Sequence, residues 1–292
     1  MPLWYSRADP ERCDVVETVF QISDHEFQLI SSLVRQRFGI DLGEHKRTLV
    51  IARLQKVLRE GGFSDFRTYY DYVVNDPSGQ ALLTMVDRIS TNHTFFFREK
   101  EHFDFFRTTA LPRIVEMIKR KGQKSLRIWS AGCSSGEEPY TLAIVISDYF
   151  GESLSGIDAG ILATDISVTA LEKAKTGVYT KEQIARVPPM YRQRYFIHLQ
   201  RNSYAVQQSI KDLVLFRRLN LMRKDYPFKE RFHAIFCRNV MIYFDYKTRQ
   251  ELLERFHRYM EPGGYLVIGQ SESISRSSTL YRYICPSIYQ RV

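Results

Sequence analysis

The chain has 292 residues, 44% of them hydrophobic, enough to bury a substantial core and to divide into two compact units. No apolar run approaches the roughly 20 residues of a membrane span, and the amino terminus lacks the basic and apolar regions of a signal peptide, so an unexported, cytoplasmic protein without membrane insertion is expected. A formal net charge of +9 points to an acidic partner, while four scattered cysteines without C-x-x-C spacing and dispersed histidines argue against a disulfide framework and a metal site.

Residues 1–20 show no sustained period and are expected to form a mobile arm. From Ser23 the pattern sharpens: Ser23-Asp-His-Glu26 is a capping box ahead of Phe27, Ile30, Leu33, Val34 and Phe38 at helical spacing, and Gly39 ends the run. A second helix is predicted from about Glu44 to Glu60, with Val50, Leu54, Val57 and Leu58 on one face and Gly61-Gly62 as its stop. A third follows Ser64 with Phe66, Tyr69, Tyr70 and Val73, halting before Asp76-Pro77, and a fourth covers Leu82 to Ile89. These elements predict a small all-α domain over residues 21–90. On its second helix Arg53, Lys56 and Arg59 recur every three residues, a basic ridge turned away from Val50, Leu54 and Val57. A solvated face is the ordinary meaning of such a ridge.

From residue 91 to 292 strands alternate with helices, which predicts an α/β layer architecture. Phe103 to Lys121 reads as helix. The segment Ser125 to Ile144 then runs from an apolar strand through Gly132-Cys-Ser-Ser-Gly136 into a helix opening with Glu137-Glu138, the first βα unit of an open parallel sheet. Its glycines are spaced G-x-x-x-G, not the G-x-G-x-x-G that cradles a pyrophosphate. At ~4 Å from a phosphate each carboxylate would cost about 4 kcal/mol at an effective dielectric near 20. A nucleoside whose tail carries an ammonium and a sulfonium is favoured by the same charges, and S-adenosylmethionine fits that description. Gly160 to Asp165 is a second apolar run ending in an acid, the position from which such sheets chelate ribose hydroxyls. Asp165 is the expected ribose ligand; the bland reading makes it a cap for the helix over Ile166 to Lys175, and the two roles are compatible. The stretch 178–216 breaks the alternation and reads as a small antiparallel insertion, with a hairpin formed by Tyr195–Leu199 and Tyr204–Ile210. His233 to Cys237 is a third apolar run, ending in Arg238-Asn239-Val-Met-Ile-Tyr243-Phe-Asp245. A helix from Lys247 to Met260, a stop at Pro262-Gly263-Gly264, a strand from Tyr265 to Gly269 and an antiparallel edge strand over Tyr283 to Gln290 complete the chain.

Four segments in this order, Thr91-Asn92-His93-Thr94-Phe95-Phe96-Phe97-Arg98-Glu99, Ser130–Tyr140 (SAGCSSGEEPY), Ala163–Ser167 (ATDIS) and Cys237–Asp245 (CRNVMIYFD), resemble the chemotaxis receptor methyltransferases of bacteria, the CheR family. The resemblance runs from about Ile22 to Tyr289. It implies a Rossmann-like S-adenosylmethionine-dependent methyltransferase domain over 91–292 with the antiparallel β insertion, preceded by the all-α domain. It also implies transfer of a methyl group from S-adenosylmethionine to glutamate side chains of methyl-accepting receptors, with S-adenosylhomocysteine as product and no metal. In the family the cofactor-binding positions fall on Asn92, Thr94, Arg98, Glu138, Asp165, Asn220, Leu221, Arg238 and Asn239 of this chain. On that basis Glu138 is assigned to the methionyl ammonium, Asp165 to the ribose and Asn220-Leu221 to the adenine. Arg98 clamps the methionyl carboxylate or steadies the incoming glutamate, and Tyr243 donates to the nucleophile or lines its approach, so Arg98 and Tyr243 are the catalytic candidates. The ridge Arg53, Lys56 and Arg59 resembles a surface that meets the receptor helix bundle, whose cytoplasmic helices are the expected partner of a monomeric enzyme.

Methyl transfer to a carboxylate explains an absence. A glutamate with a pKa near ~4.3 is already ionised at neutral pH, so no general base is required, and no Ser/His/Asp or Cys/His arrangement stands out. The rival is a nucleic-acid methyltransferase, which +9 would serve, but the D/N-P-P-aromatic turn common in such enzymes is replaced here by Arg238-Asn239-Val240-Met241. No nucleic-acid partner is therefore expected. A cofactor-binding sensor without activity is disfavoured by the presence of Asp165 and Glu137-Glu138, and a dehydrogenase by the glycine spacing. The Phe95–Phe97 run reads as core packing. The loop Gln200–Ser203 is short and contains no glycine, so docking of a receptor tail by strand addition on the insertion is not expected.

Overall fold

The computed structural model describes residues 20–90, 92–275 and 278–292. The expected arm, apart from Phe20, and Thr91 lie outside them. Four helices come first: α1 (Asp24–Phe38), α2 (Arg47–Gly61), α3 (Phe66–Asn75) and α4 (Gln80–Ile89). The capping box forms in full, with the Glu26 amide donating to Ser23 Oγ and the Ser23 amide to Glu26 Oε2 at 2.8 Å. Residues 44–46 make a single 3-10 turn, so α2 starts three residues later than the pattern suggests. Phe27, Ile30, Val34, Val50, Leu54, Phe66 and Met85 from the four helices close on one another as a separate core. Burying such a face, and not intrinsic propensity, is what holds helices of 10–15 residues.

The helix expected over 103–121 is two helices, α5 (Lys100–Phe105) and α6 (Leu111–Arg120), joined by a wider π turn over Phe106–Ala110. Then follow β1 (Ser125–Ala131), α7 (Glu137–Phe150), β2 (Asp158–Asp165) and α8 (Val168–Thr176). Next come β3 (Val178–Thr180), α9 (Pro189–Tyr195), β4 (Phe196–His198), β5 (Ser203–Val206), α10 (Gln208–Lys211) and β6 (Val214–Arg218). The chain ends with β7 (Phe232–Cys237), α11 (Tyr246–Tyr259), β8 (Met260–Ile268), β9 (Tyr281–Cys285) and β10 (Ile288–Arg291).

The main sheet has the order β6-β2-β1-β7-β8-β10-β9, in which the first five strands are parallel and β10 runs against both β8 and β9. Period-two alternation divides its two faces. Leu126, Ile128, Ala234, Phe236, Tyr265 and Val267 join one core with α6 and α7, whereas Trp129, Ala131, Ile235, Cys237, Leu266 and Ile268 join another against α11. Trp129 is fully buried and its indole N–H donates to Thr164 Oγ1 at 2.9 Å, satisfying the one polar group it carries inward.

Three further expectations need correction. The insertion is a three-stranded antiparallel sheet, β3-β5-β4, and it stops short of Phe216: β6 pairs with β2 as the edge of the main sheet. Residues 208–211 form a helical turn and not the end of a hairpin strand. At the carboxyl end one expected strand is two, because Ser287 takes a left-handed φ of +62° and turns the chain back. No described helix is long and apolar enough to cross a membrane.

Candidate active site at the carboxyl end of the parallel sheet

β1 lies between β2 and β7, strands that the chain reaches by paths on opposite sides, so a crevice opens beyond its carboxyl end. The turn after β1 lines that crevice. Gly132 has φ +87°, and its N–H and that of Cys133 both donate to the Thr164 carbonyl, at 2.7 and 2.9 Å. A Cβ on Gly132 would lie 2.4 Å from Val240 Cγ2, so only glycine lets this turn pass beneath the one that follows β7. The Ser134 and Ser167 amides donate to the two oxygens of Asp165, at 2.7 and 2.9 Å. Asp165 thus ties the ends of β1 and β2 together while still lining the cavity. Burial pushes its carboxyl up, against the Ser167 and Ser134 amides. The helix cap expected of it belongs instead to Ser167, whose Oγ accepts from the Ala170 amide.

The paired glutamates diverge, because successive residues on a helix point about 100° apart. Glu137 is 1% exposed, turned inward to accept from Ser135 Oγ at 2.7 Å, and it does not line the cavity. This corrects the reading in which both carboxylates face a ligand. Glu138 does line it, with Oε1 accepting from Ser130 Oγ at 2.7 Å and Oε2 from Arg238 Nη1 at 3.2 Å. Burial pushes Glu138 up, and Arg238 and the Ser130 hydroxyl oppose that shift.

Arg238 emerges at the end of β7, buried, with Glu99 Oε2 at 3.3 Å, the Arg98 carbonyl in hydrogen-bond contact and the Phe103 ring centroid at 5.0 Å. Asn239 follows in the left-handed region at φ +58°. Glu272 explains how that conformation is held: Oε2 accepts from the amides of Asn239 and Gly269 at 3.1 and 2.6 Å, and Oε1 from Ile242 at 3.1 Å. At Gly269 a Cβ would fall 2.6 Å from Asn239 Nδ2, which forbids a side chain there.

The helical unit forms the roof. Ile40 bridges to Phe244, the Asp41 amide donates to the Tyr243 carbonyl at 2.7 Å, and Asn220 Nδ2 donates to the Arg37 carbonyl at 2.8 Å. Between roof and sheet lies a cavity of about 200 Å³ lined by Asn92, Thr94, Arg98, Glu138, Asp165, Asn220, Leu221, Arg238, Asn239 and Tyr243. All the cofactor and catalytic candidates therefore meet in one place. Arg98 Nη1 donates to the His93 carbonyl at 2.9 Å, and the Tyr243 ring lies 5.3 Å from the Lys46 ammonium. Phe96 is core, as expected, but Phe95 lines the cavity, a correction to the reading of that run. Arg53, Lys56 and Arg59 do not line it; they are exposed on α2, where Arg53 Nη1 is 3.4 Å from the Ser90 carbonyl and Lys56 Nζ 3.6 Å from Glu60 Oε1.

Two family descriptions match the chain: the CheR methyltransferase SAM-binding domain over residues 92–288 and the CheR all-alpha domain over residues 25–90. The chain belongs to the CheR methyltransferase family. The chemotaxis protein methyltransferase of Borreliella burgdorferi is 41% identical over 270 residues, covering 92% of this chain and 95% of that one. The chemotaxis protein methyltransferase of Escherichia coli is 38% identical over 257 residues, covering 87% and 86%. Among solved structures, the methyltransferase domain of bacterial CtHen1-C superposes with a TM-score of 0.30 at 17% identity, over 54% of this chain and 62% of that one.

This CheR-family protein is a methyltransferase of chemotaxis with a SAM-binding domain. Several of its cavity walls carry no signal in the local sequence. Phe38, Ile40, Leu42, Lys46 and Leu49 come from the helical unit, and only the tertiary fold brings them above the sheet. Glu272 was also missed, for it touches backbone and not the cavity. Among the described residues no cluster of three or more histidine, cysteine, aspartate and glutamate side chains is arranged to hold a metal ion.

Proposed function

We propose that this protein transfers the methyl group of S-adenosylmethionine to glutamate carboxylates of methyl-accepting chemotaxis receptors, leaving glutamyl methyl esters and S-adenosylhomocysteine. The observation that supports it most is the convergence of ten candidate side chains on one cavity whose floor holds the carboxylates of half-buried Glu138 and buried Asp165. That donor set fits the cofactor: acceptors suit an ammonium and a ribose diol, and the apolar walls of Leu221, Phe38 and Leu42 suit an adenine face.

When bound, the cofactor supplies an electrophilic methyl group on a sulfonium. Glu138, held in place by Ser130 and Arg238, would accept from the methionyl ammonium. Asp165 would accept from the ribose, and Asn220-Leu221 would hold the adenine. The substrate carboxylate, ionised at neutral pH, would take that methyl group directly, so the chain needs no residue to hold or move a proton. Since anion and cation neutralise each other, the protein's task is alignment and exclusion of water. Arg98 steadies the incoming carboxylate through its free guanidinium N–H groups, and Tyr243 lines the approach under the roof of the helical unit. The exposed ridge Arg53, Lys56 and Arg59 meets the acidic receptor helices outside the cavity, in a cytoplasmic setting.

Calorimetric titration with S-adenosylhomocysteine, NAD and ATP tests the cofactor half of this reading. Saturable binding of the first alone is expected. Uptake of NAD or ATP with indifference to S-adenosylhomocysteine would overturn it.

A further inference from the structure

The ring of Phe95, which lines the cavity, has two guanidinium groups against it. Arg186 lies 3.9 Å from its centroid and Arg98 5.8 Å. Arg98 belongs to the same loop as Phe95, but Arg186 comes from the segment that follows β3 in the antiparallel insertion. That segment is not slack. Ile184 and Val187 on either side are buried, and the amides of Ile184, Ala185 and Val187 donate to the carbonyls of Thr180, Glu182 and Ile184 at 3.0–3.3 Å. Arg186 itself is exposed, and no described carboxylate pairs with it. Stacking on an aromatic face orients a guanidinium while leaving its in-plane N–H fork unused.

The charge inside the cavity gives such a fork a purpose. Glu138 and Asp165 line the floor with Glu99 behind and Arg238 set among them, while the cavity's other two cations, Arg98 and Lys46, lie on the loop before α5 and on the helical roof. A substrate carboxylate must approach this acidic floor, so cations at the rim lower the electrostatic barrier to its arrival. Arg98 is one such cation. We infer that Arg186, stacked on Phe95, is a substrate-positioning residue that pairs with a second carboxylate of the acidic substrate segment while the target carboxylate is held beside Arg98. The inference rests on the proposed methylation of protein carboxylates and extends it to the substrate's neighbouring charge. It makes the insertion part of the substrate entrance.

The test uses the full chain carrying Arg186→Ala, Arg186→Lys or Arg186→Glu, with a receptor cytoplasmic fragment as acceptor and labelled S-adenosylmethionine as donor. Arg186→Ala should raise KM for the fragment about three- to ten-fold with little change in kcat, Arg186→Glu should raise it further, and Arg186→Lys should recover part of the loss. The affinity for S-adenosylhomocysteine, measured by calorimetry on the same preparations, should be unchanged. The ratio of wild-type to Arg186→Ala KM values should also shrink as salt rises. An unchanged KM in both Arg186→Ala and Arg186→Glu, while wild type esterifies the fragment, overturns this inference alone. Loss of S-adenosylhomocysteine affinity in step with KM overturns it too, since Arg186 would then act on the cofactor site. A wild-type protein that esterifies no carboxylate of the fragment overturns the underlying functional reading and this inference with it.

Discussion

Arg238 and Glu138 meet at 3.2 Å across the end of the sheet, one from the turn after β7 and the other from the first turn of α7. Arg238 is buried and Glu138 keeps only 12% of its side chain exposed, so neither charge is well tolerated without the other. The pair fixes the orientation of Glu138 while Ser130 holds its second oxygen at 2.7 Å. A carboxylate so anchored presents its remaining lone pairs to the cavity.

Glu138→Gln should therefore weaken S-adenosylhomocysteine binding by about ten- to a hundred-fold, the size of a charge-assisted hydrogen bond lost from a buried site. Calorimetry across a pH series adds a sign. Burial raises the Glu138 pKa, and only the ionised form adds charge attraction to its hydrogen bond with an ammonium, so wild-type affinity should fall as pH drops through that raised value. In Glu138→Gln the slope should flatten. A wild-type affinity insensitive to acid would separate Glu138 from the ammonium.

Gly132→Ala tests the packing of the first turn. The added methyl would meet Val240 Cγ2 at 2.4 Å in a left-handed conformation that alanine disfavours. A loss of about 1–3 kcal/mol in stability is expected from overpacking and backbone strain together. Because Val240 also lines the cavity, cofactor affinity should drop in the same variant. Denaturant unfolding and calorimetry read the two effects separately.

The joint between the helical unit and α11 has its own signature. Asp245 caps α11 by accepting from the Thr248 amide at 2.8 Å and pairs with Arg35 of α1 at 2.5 Å, which pulls its pKa down to about 2. A lowered carboxylate contributes stability above its ordinary value of 3.8, and that contribution disappears as pH falls through about 2. Asp245→Ala should cost about 1 kcal/mol near neutral pH, chiefly the lost cap, since the partly exposed ion pair is screened. The gap between variant and wild type should close on acidification toward pH ~2. A gap that persisted at that pH would assign the effect to packing.

Much of this was legible because the site lies on the strongest local signals. β1, β2 and β7 read as continuous apolar runs since parallel strands are covered on both faces, and the residues at their carboxyl ends, Gly132, Asp165 and Arg238, then fall beside one crevice. β6 escaped notice for the opposite reason: as an edge strand it buries Phe216 but leaves Leu215 half exposed and ends in Arg217-Arg218, a pattern too weak to part it from the insertion. The direction of Glu137 was hidden because two adjacent acids look alike until Ser135 turns one of them inward. Lys46 and Glu272 have no local signature at all. Their roles arise from contacts with Tyr243 and with the Asn239 turn, far away in the chain.

Charge reversal on α2 tests the proposed docking of receptor helices on the Arg53, Lys56 and Arg59 ridge independently of the cavity. Arg53→Glu or Lys56→Glu should slow methylation of receptor fragments several-fold and leave S-adenosylhomocysteine affinity unchanged, because neither side chain lines the cavity. Raising salt should narrow the difference between variant and wild type. Equal rates at low salt would return the ridge to a solvated surface.

The most direct test of the account is to map the transferred methyl group. The protein is incubated with labelled S-adenosylmethionine and a receptor cytoplasmic fragment, with RNA in a parallel reaction, and the products are digested and sequenced by mass spectrometry. Label is expected on glutamate side chains of the fragment, released as methanol by mild base, and none on RNA. Label on RNA or on a base-stable protein position, with glutamates unmodified, would contradict it.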